Sequence, residues 1–210
     1  MKIVLFGASG TIGQRILAEA VGRGHQVTAV VRDPSRVPER DGVVAERGDV
    51  LDAQSVAQRV DDADAVVSAV SPDAGKIEQV AASFHALIAG LKQAGVKRLL
   101  VVGGAGSLEV APGLQLVDAP DFPSAWKPVA SAHRDALALL REERDLDWTY
   151  LSPAAMIQPG ERTGVFRRGG DTLVTDANGE SRISAEDFAI ALVDELERPE
   201  HVRRRFTVAY

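Results

Sequence analysis

Ile3-Val4-Leu5-Phe6-Gly7-Ala8-Ser9-Gly10-Thr11-Ile12-Gly13 stands near the start of the chain. An apolar run of strand length passes straight into glycines spaced three apart, and a helical pattern follows over residues 12–21. Each glycine has its own physical task. Gly7 permits a tight turn, Gly10 lets a pyrophosphate reach the backbone, and Gly13 lets the helix pack closely on the sheet. The first N–H groups of a helix lack intrahelical partners, so they form a ready anion site with Ser9, Thr11 and Ile12 beside it. The G-x-x-G-x-x-G spacing is a variant of the dinucleotide fingerprint, and its position between a strand and a helix is the context that motif requires. A plain tight turn is the other reading. No Lys-Ser/Thr pair closes the loop, so it is not a triphosphate-binding loop.

Outward from this loop, strands and helices alternate. Gly22-Arg23-Gly24-His25 breaks the first helix, and residues 26–32 form a β-branched second strand. Asp33-Pro34-Ser35 is a turn suited to capping a short helix. Residues 43–45 read as a third strand, and Asp52 as the N-cap of a helix through Val60. Residues 65–70 are the fourth strand, 76–94 a long helix ended by Gly95, and 98–102 the fifth strand. Residues 103–128 hold many glycines and prolines and read as a long loop. A helix over 129–144, a sixth strand over 148–151 and a second loop over 153–171 follow. Residues 173–175 suggest a small strand, and Asn178-Gly179 a turn. Ser184 caps a helix over 185–197, and residues 206–209 close the chain as a strand. The pattern predicts an α/β fold: a Rossmann-type, doubly wound parallel sheet with helices on both faces, in one domain spanning 1–210, with a small C-terminal extension on the substrate side. Leu5 to Gly10 and Val101 to Gly106 both read strand then glycine loop, as expected of strands flanking the crevice of such a sheet.

Composition narrows the function. The net charge of -6 disfavours nucleic-acid binding, and Arg203-Arg204-Arg205 reads as a solvated strand entry. With no cysteine there is no disulfide, thiolate metal site or cysteine nucleophile. The scattered histidines show no metal-ligand spacing, so no metal site is expected. No apolar run approaches membrane length, and the expected compartment is the cytoplasm, with a small molecule as partner and no membrane.

The second strand ends in Val30-Val31-Arg32-Asp33. NAD-specific folds place an acidic side chain here to bind the ribose 2′-OH. A guanidinium matches a 2′-phosphate instead, so Arg32, with Arg36 nearby, points to NADP(H) in preference to NAD(H). The bland alternative is a strand-end cation paired to Asp33.

At these residues the chain resembles the atypical short-chain dehydrogenases with an NAD(P)H-binding, NmrA-like domain, a group that includes small flavin and biliverdin reductases. The resemblance runs from the 7–13 loop and Arg32 through Gly48-Asp49-Val50, Ser68-Ala69-Val70 and the 101–108 segment to Ser152-Pro153. It implies that Asp49 and Val50 lie near the adenine, that Ser68, Ala69 and Val70 back the ribose, and that Gly103 lies near the nicotinamide. Ordinary short-chain dehydrogenases carry Tyr-x-x-x-Lys after the fifth strand. Neither Tyr150 nor Tyr210 can form that pair, and Trp126-Lys127-Pro128 stands where the tyrosine belongs. The remaining candidates for chemistry are Ser107, Lys127 and His133, each with a structural alternative: a loop serine bonded to backbone, a solvated lysine, a satisfied helix histidine. Together these features suggest an NAD(P)H-dependent oxidoreductase passing hydride to a small flat acceptor such as a flavin or quinone, which needs little from a protein acid because solvent can supply the proton. The rival is a non-catalytic, NmrA-like dinucleotide sensor.

Overall fold

The structure is a computed structural model that describes residues 1–73 and 75–210. In chain order the elements are β1 (Lys2–Phe6), α1 (Thr11–Gly22), β2 (Gln26–Val31), β3 (Val43–Arg47), α2 (Ala53–Arg59), β4 (Ala65–Ser68), α3 (Glu78–Ala94) and β5 (Arg98–Val102). They continue with β6 (Glu109–Ala111), β7 (Leu114–Gln115), α4 (Lys127–Glu142), β8 (Asp147–Ser152), β9 (Met156–Gln158), β10 (Arg167–Gly169), β11 (Arg182–Ser184), α5 (Ala185–Glu197) and β12 (Arg204–Ala209). The main sheet runs β10-β12-β8-β5-β4-β1-β2-β3. Its pairs are parallel apart from β10, which is antiparallel to β12. The chain winds outward from β1 to β3, crosses back to β4, and winds the other way. This is the doubly wound Rossmann arrangement, and its direction reverses between β1 and β4.

Both faces of the sheet are covered, so strand side chains alternate between two apolar layers. In β1, Ile3 and Leu5 join the layer under α1 and α5 with Ile16, Leu17 and Phe188. Val4 and Phe6 join the opposite layer with Val56, Phe84, Leu87 and Leu137 from α2, α3 and α4. Burial on both sides explains why these strands read as continuous apolar runs. Local chemistry sets the helix starts. The Asp52 side chain accepts from Gln54 N at 3.0 Å, and Ser184 Oγ accepts from Asp187 N at 3.0 Å.

Several expectations need correction. The fourth strand ends at Ser68, and Ala69 and Val70 leave the sheet. The 103–128 segment is not a plain loop: β6 and β7 pair within it and a 3₁₀ turn follows at Leu116–Asp118. Leu116 N to Leu108 O and Val117 N to Gly106 O tie it down. The second loop contains β9, which pairs with β11, and β10. Residues 173–175 form no strand; Leu173 N instead donates to Glu109 O. Arg205 is not a solvated strand entry. It is buried, with Nη1 donating to Ser107 Oγ at 3.0 Å and Nε to Asp171 at 2.8 Å, because β12 is flanked by both β8 and β10.

Candidate functional site

A crevice of about 250 Å³ opens where the winding reverses, at the C-terminal ends of β1, β2 and β4. Gly7, Ser9, Gly10, Arg32, Asp49, Val50, Ala69 and Val70 line it. Thr11, Ile12 and Gly13 form the first turn of α1 beside it, and Ser68 is buried at the end of β4. Gly103 follows β5 and is not part of the lining.

The three loop glycines differ in what a side chain would meet. Gly7 has φ +83°, and a Cβ there would fall 2.5 Å from Ala69 O. A Cβ on Gly13 would fall 2.1 Å from Gly7 O, so the helix start rests directly on the loop backbone. At Gly10 the only neighbour of a Cβ among the described residues is Gly7 O at 3.4 Å, and the backbone is ordinary extended, φ -78° and ψ 167°. The fold therefore demands glycine at 7 and 13 but leaves space over Gly10. That space faces the crevice at the start of α1, where no side chain caps the helix and no acidic residue sits in the first turn. An uncapped helix start with open backbone before it fits a pyrophosphate.

The far end of the crevice carries the charge. Arg32 and Arg36 line it, and Asp49 shapes the turn after β3 by accepting from Leu51 N at 2.9 Å. Arg32 does not pair with Asp33, whose carboxylate instead caps the next turn through Ser35 N and Oγ. Its partner is Asp73, which also lines the crevice. Sequence reading missed Asp73 and Gln79. Asp73 lies 41 residues from Arg32 in a short Ser71-Pro72-Asp73 stretch that carries no motif.

The residues weighed for chemistry do not gather at this crevice. Ser107 is buried and its hydroxyl is held by Arg205. Lys127 is exposed at the first position of α4. His133 sits two turns into the same helix against Gly104, with Nδ1 buried and unpartnered among the described residues. Burial lowers its pKa to about 4, so it is neutral imidazole at pH 7 and does not titrate near neutrality. Tyr150 is fully buried. Its hydroxyl accepts from Gly104 N at 2.9 Å and donates to His133 O at 3.0 Å, and burial raises its pKa. Its ring also explains Gly103, where a Cβ would fall 2.0 Å from the ring edge. Tyr210 OH is likewise occupied, donating to Asp187 at 2.9 Å and accepting from Ser184 N at 3.2 Å. Both phenols thus serve structure. Among the described residues no cluster of His, Asp or Glu could hold a metal, and no helix is long and apolar enough to cross a membrane.

The depressed pKa of His133 has a measurable consequence. Between about 6.5 and 4 the unfolded chain binds the proton more readily than the folded one, so stability is full above the unfolded pKa and falls with pH. From pH 7.5 to 5 this group removes at most about 2 kcal/mol. Urea midpoints at the two pH values should therefore drop further in the wild type than in His133→Asn. Equal drops would show that the imidazole ionises freely in the folded protein.

Residues 7–199 match the protein family described as NAD(P)H-binding. The uncharacterised protein YwnB of Bacillus subtilis is 46% identical, over 99% of this chain and 98% of its own. Among solved structures, one from Burkholderia pseudomallei, provisionally named an exported protein, is 53% identical with a TM-score of 0.93, covering 100% of both chains. Another, from Streptococcus pneumoniae and provisionally named an NADH-flavin reductase, is 36% identical with a TM-score of 0.88, covering 100% of this chain and 99% of that one.

Proposed function

The chain belongs to the NAD(P)H-binding family, and on that premise we propose that it is a cytoplasmic NADP(H)-dependent reductase whose acceptor is a small flat molecule, a flavin or a quinone. The observation that carries the binding half is Gly10, a glycine whose missing side chain no packing among the described residues requires, yet which borders the uncapped start of α1. Ser9 and the first N–H groups of α1 would hold the pyrophosphate. Asp49 and Val50 would lie against the adenosine, with Ala69 and Val70 behind the ribose, and Arg32 would meet the 2′-phosphate. The bound dinucleotide supplies a hydride.

The acceptor class rests on the state of the groups that could have served as acids, none of which lines the crevice. Tyr150 and Tyr210 have committed hydroxyls, Ser107 is held by a buried guanidinium, and His133 is neutral at pH 7. None of these groups is a ready acid, which suits an acceptor whose reduced form takes its proton from water: a quinone gains a hydride and one solvent proton to become the hydroquinone. The Streptococcus relative, provisionally named a flavin reductase, supports the same class. NADPH oxidation, followed by the loss of its near-ultraviolet absorbance, against quinones, flavins and carbonyl compounds tests this. Turnover with a flat acceptor is expected. Tight NADPH binding with no turnover on any acceptor would leave the sensor reading in its place.

Cofactor preference has its own test. NADPH should bind more tightly than NADH, and Arg32→Ala should weaken NADPH about tenfold or more while barely affecting NADH. A charge-assisted contact to phosphate contributes about 1.5–3 kcal/mol. Equal wild-type affinities for the two dinucleotides would refute the assignment of Arg32.

A further inference from the structure

Arg32 and Asp73 meet as a two-point fork. Arg32 Nη1 donates to Asp73 Oδ2 at 2.9 Å, and Nη2 lies 2.9 Å from Oδ1. Arg32 directly follows β2, Asp73 lies on the segment after β4, and β1 with its glycine loop runs between them. The pair therefore straps the adenosine end of the crevice from one side to the other. Asp73 is held in place from below. Its backbone N donates to Gln79 Oε1 at 2.8 Å, and Gln79 Nε2, in the first turn of α3, donates to Asp73 Oδ2 at 3.3 Å. Lys76 Nζ is 4.0 Å away. The guanidinium, followed by Gln79, holds the Asp73 carboxyl below its usual range, so it is ionised at neutral pH.

A carboxylate and a phosphate use the same fork of a guanidinium. We propose that Asp73 is a specificity-determining residue of the crevice that competes with the ribose 2′-phosphate for Arg32 and accepts the ribose 2′-OH of the unphosphorylated dinucleotide. The inference rests on the dinucleotide reading given above. NADP(H) must part the strap before its phosphate reaches Arg32, whereas NAD(H) leaves the strap closed and donates its hydroxyl to Asp73. One side chain thus weakens one cofactor and supports the other, and it narrows the discrimination that Arg32 alone would impose.

The experiment is titration of NADPH and NADH separately into wild type, Asp73→Asn and Gln79→Ala, with folding checked by circular dichroism. In Asp73→Asn, NADPH should tighten about fivefold or more while NADH is unchanged or weaker, so the affinity ratio rises. Gln79→Ala frees the carboxylate from its anchor and should move the ratio the same way by less. A purely structural role for Asp73 would weaken both cofactors together and leave the ratio fixed. A fixed or falling ratio in Asp73→Asn overturns the proposal. Failure of the underlying reading shows separately, in a wild type that binds neither dinucleotide.

Discussion

Gly10→Val is expected to weaken dinucleotide binding by at least about a hundredfold, near 3 kcal/mol, while the protein stays folded. Valine adopts the extended backbone of Gly10 without strain, and among the described residues its Cβ meets only Gly7 O, at 3.4 Å. Exchanging glycine for valine at a helix N-cap costs roughly 1 kcal/mol of stability, a small fraction of what holds a domain of this size. The methyl groups would occupy the space through which a pyrophosphate approaches the backbone. Cofactor titration beside a circular dichroism spectrum separates the two effects. A folded variant that binds as well as wild type would mean the loop holds no pyrophosphate.

Gly13→Ala, three residues along, should do the reverse and damage the fold. Alanine favours a helix over glycine by about 1 kcal/mol, so propensity alone predicts a more stable protein. Packing predicts the opposite. The added Cβ would fall 2.1 Å from Gly7 O, 2.9 Å from Gly7 C and 3.1 Å from Ala8 Cα, all backbone atoms that cannot rotate away. Overpacking of this kind costs about 3 kcal/mol or more, since α1 must lift from the loop. A net loss of about 2 kcal/mol is expected in urea denaturation. A variant as stable as wild type would show that α1 does not rest on the loop.

Local chemistry made the fold and much of the crevice lining readable. The strand–glycine–helix junction, the Asp52 and Ser184 caps and the apolar strands all act within a few residues, so their spacing in the chain carries the information. What escaped depends on distant partners. The alternative reading of Arg32 pairs it with its neighbour Asp33, but that carboxylate is taken by Ser35, and the carboxylate that Arg32 meets arrives across β1 from beyond β4. Arg205 read as solvated because nothing in Arg203-Arg204-Arg205 distinguishes the residue that β8 and β10 enclose. β6, β7 and β9 are two or three residues long, too short to show a period. Gly103 was read for its place beside a ligand, yet the ring of Tyr150 already requires it.

The helix that carries the glycine loop does not finish its own packing until the last part of the chain exists. Ile16, Leu17 and Ala20 of α1 share one apolar layer with Phe188, Leu192 and Leu196 of α5 and with Phe206 and Val208 of β12. On the ribosome, β1 through β5 can pair as they emerge, and α2 and α3 can cover the opposite face from nearby sequence. The α1 face stays open to water throughout that interval. Contacts of such long sequence separation form late and leave apolar surface exposed meanwhile. For a nascent chain this leaves the α1 face uncovered until α5 and β12 have been made, and it makes assembly of the glycine-loop end a late event although its residues are among the first translated.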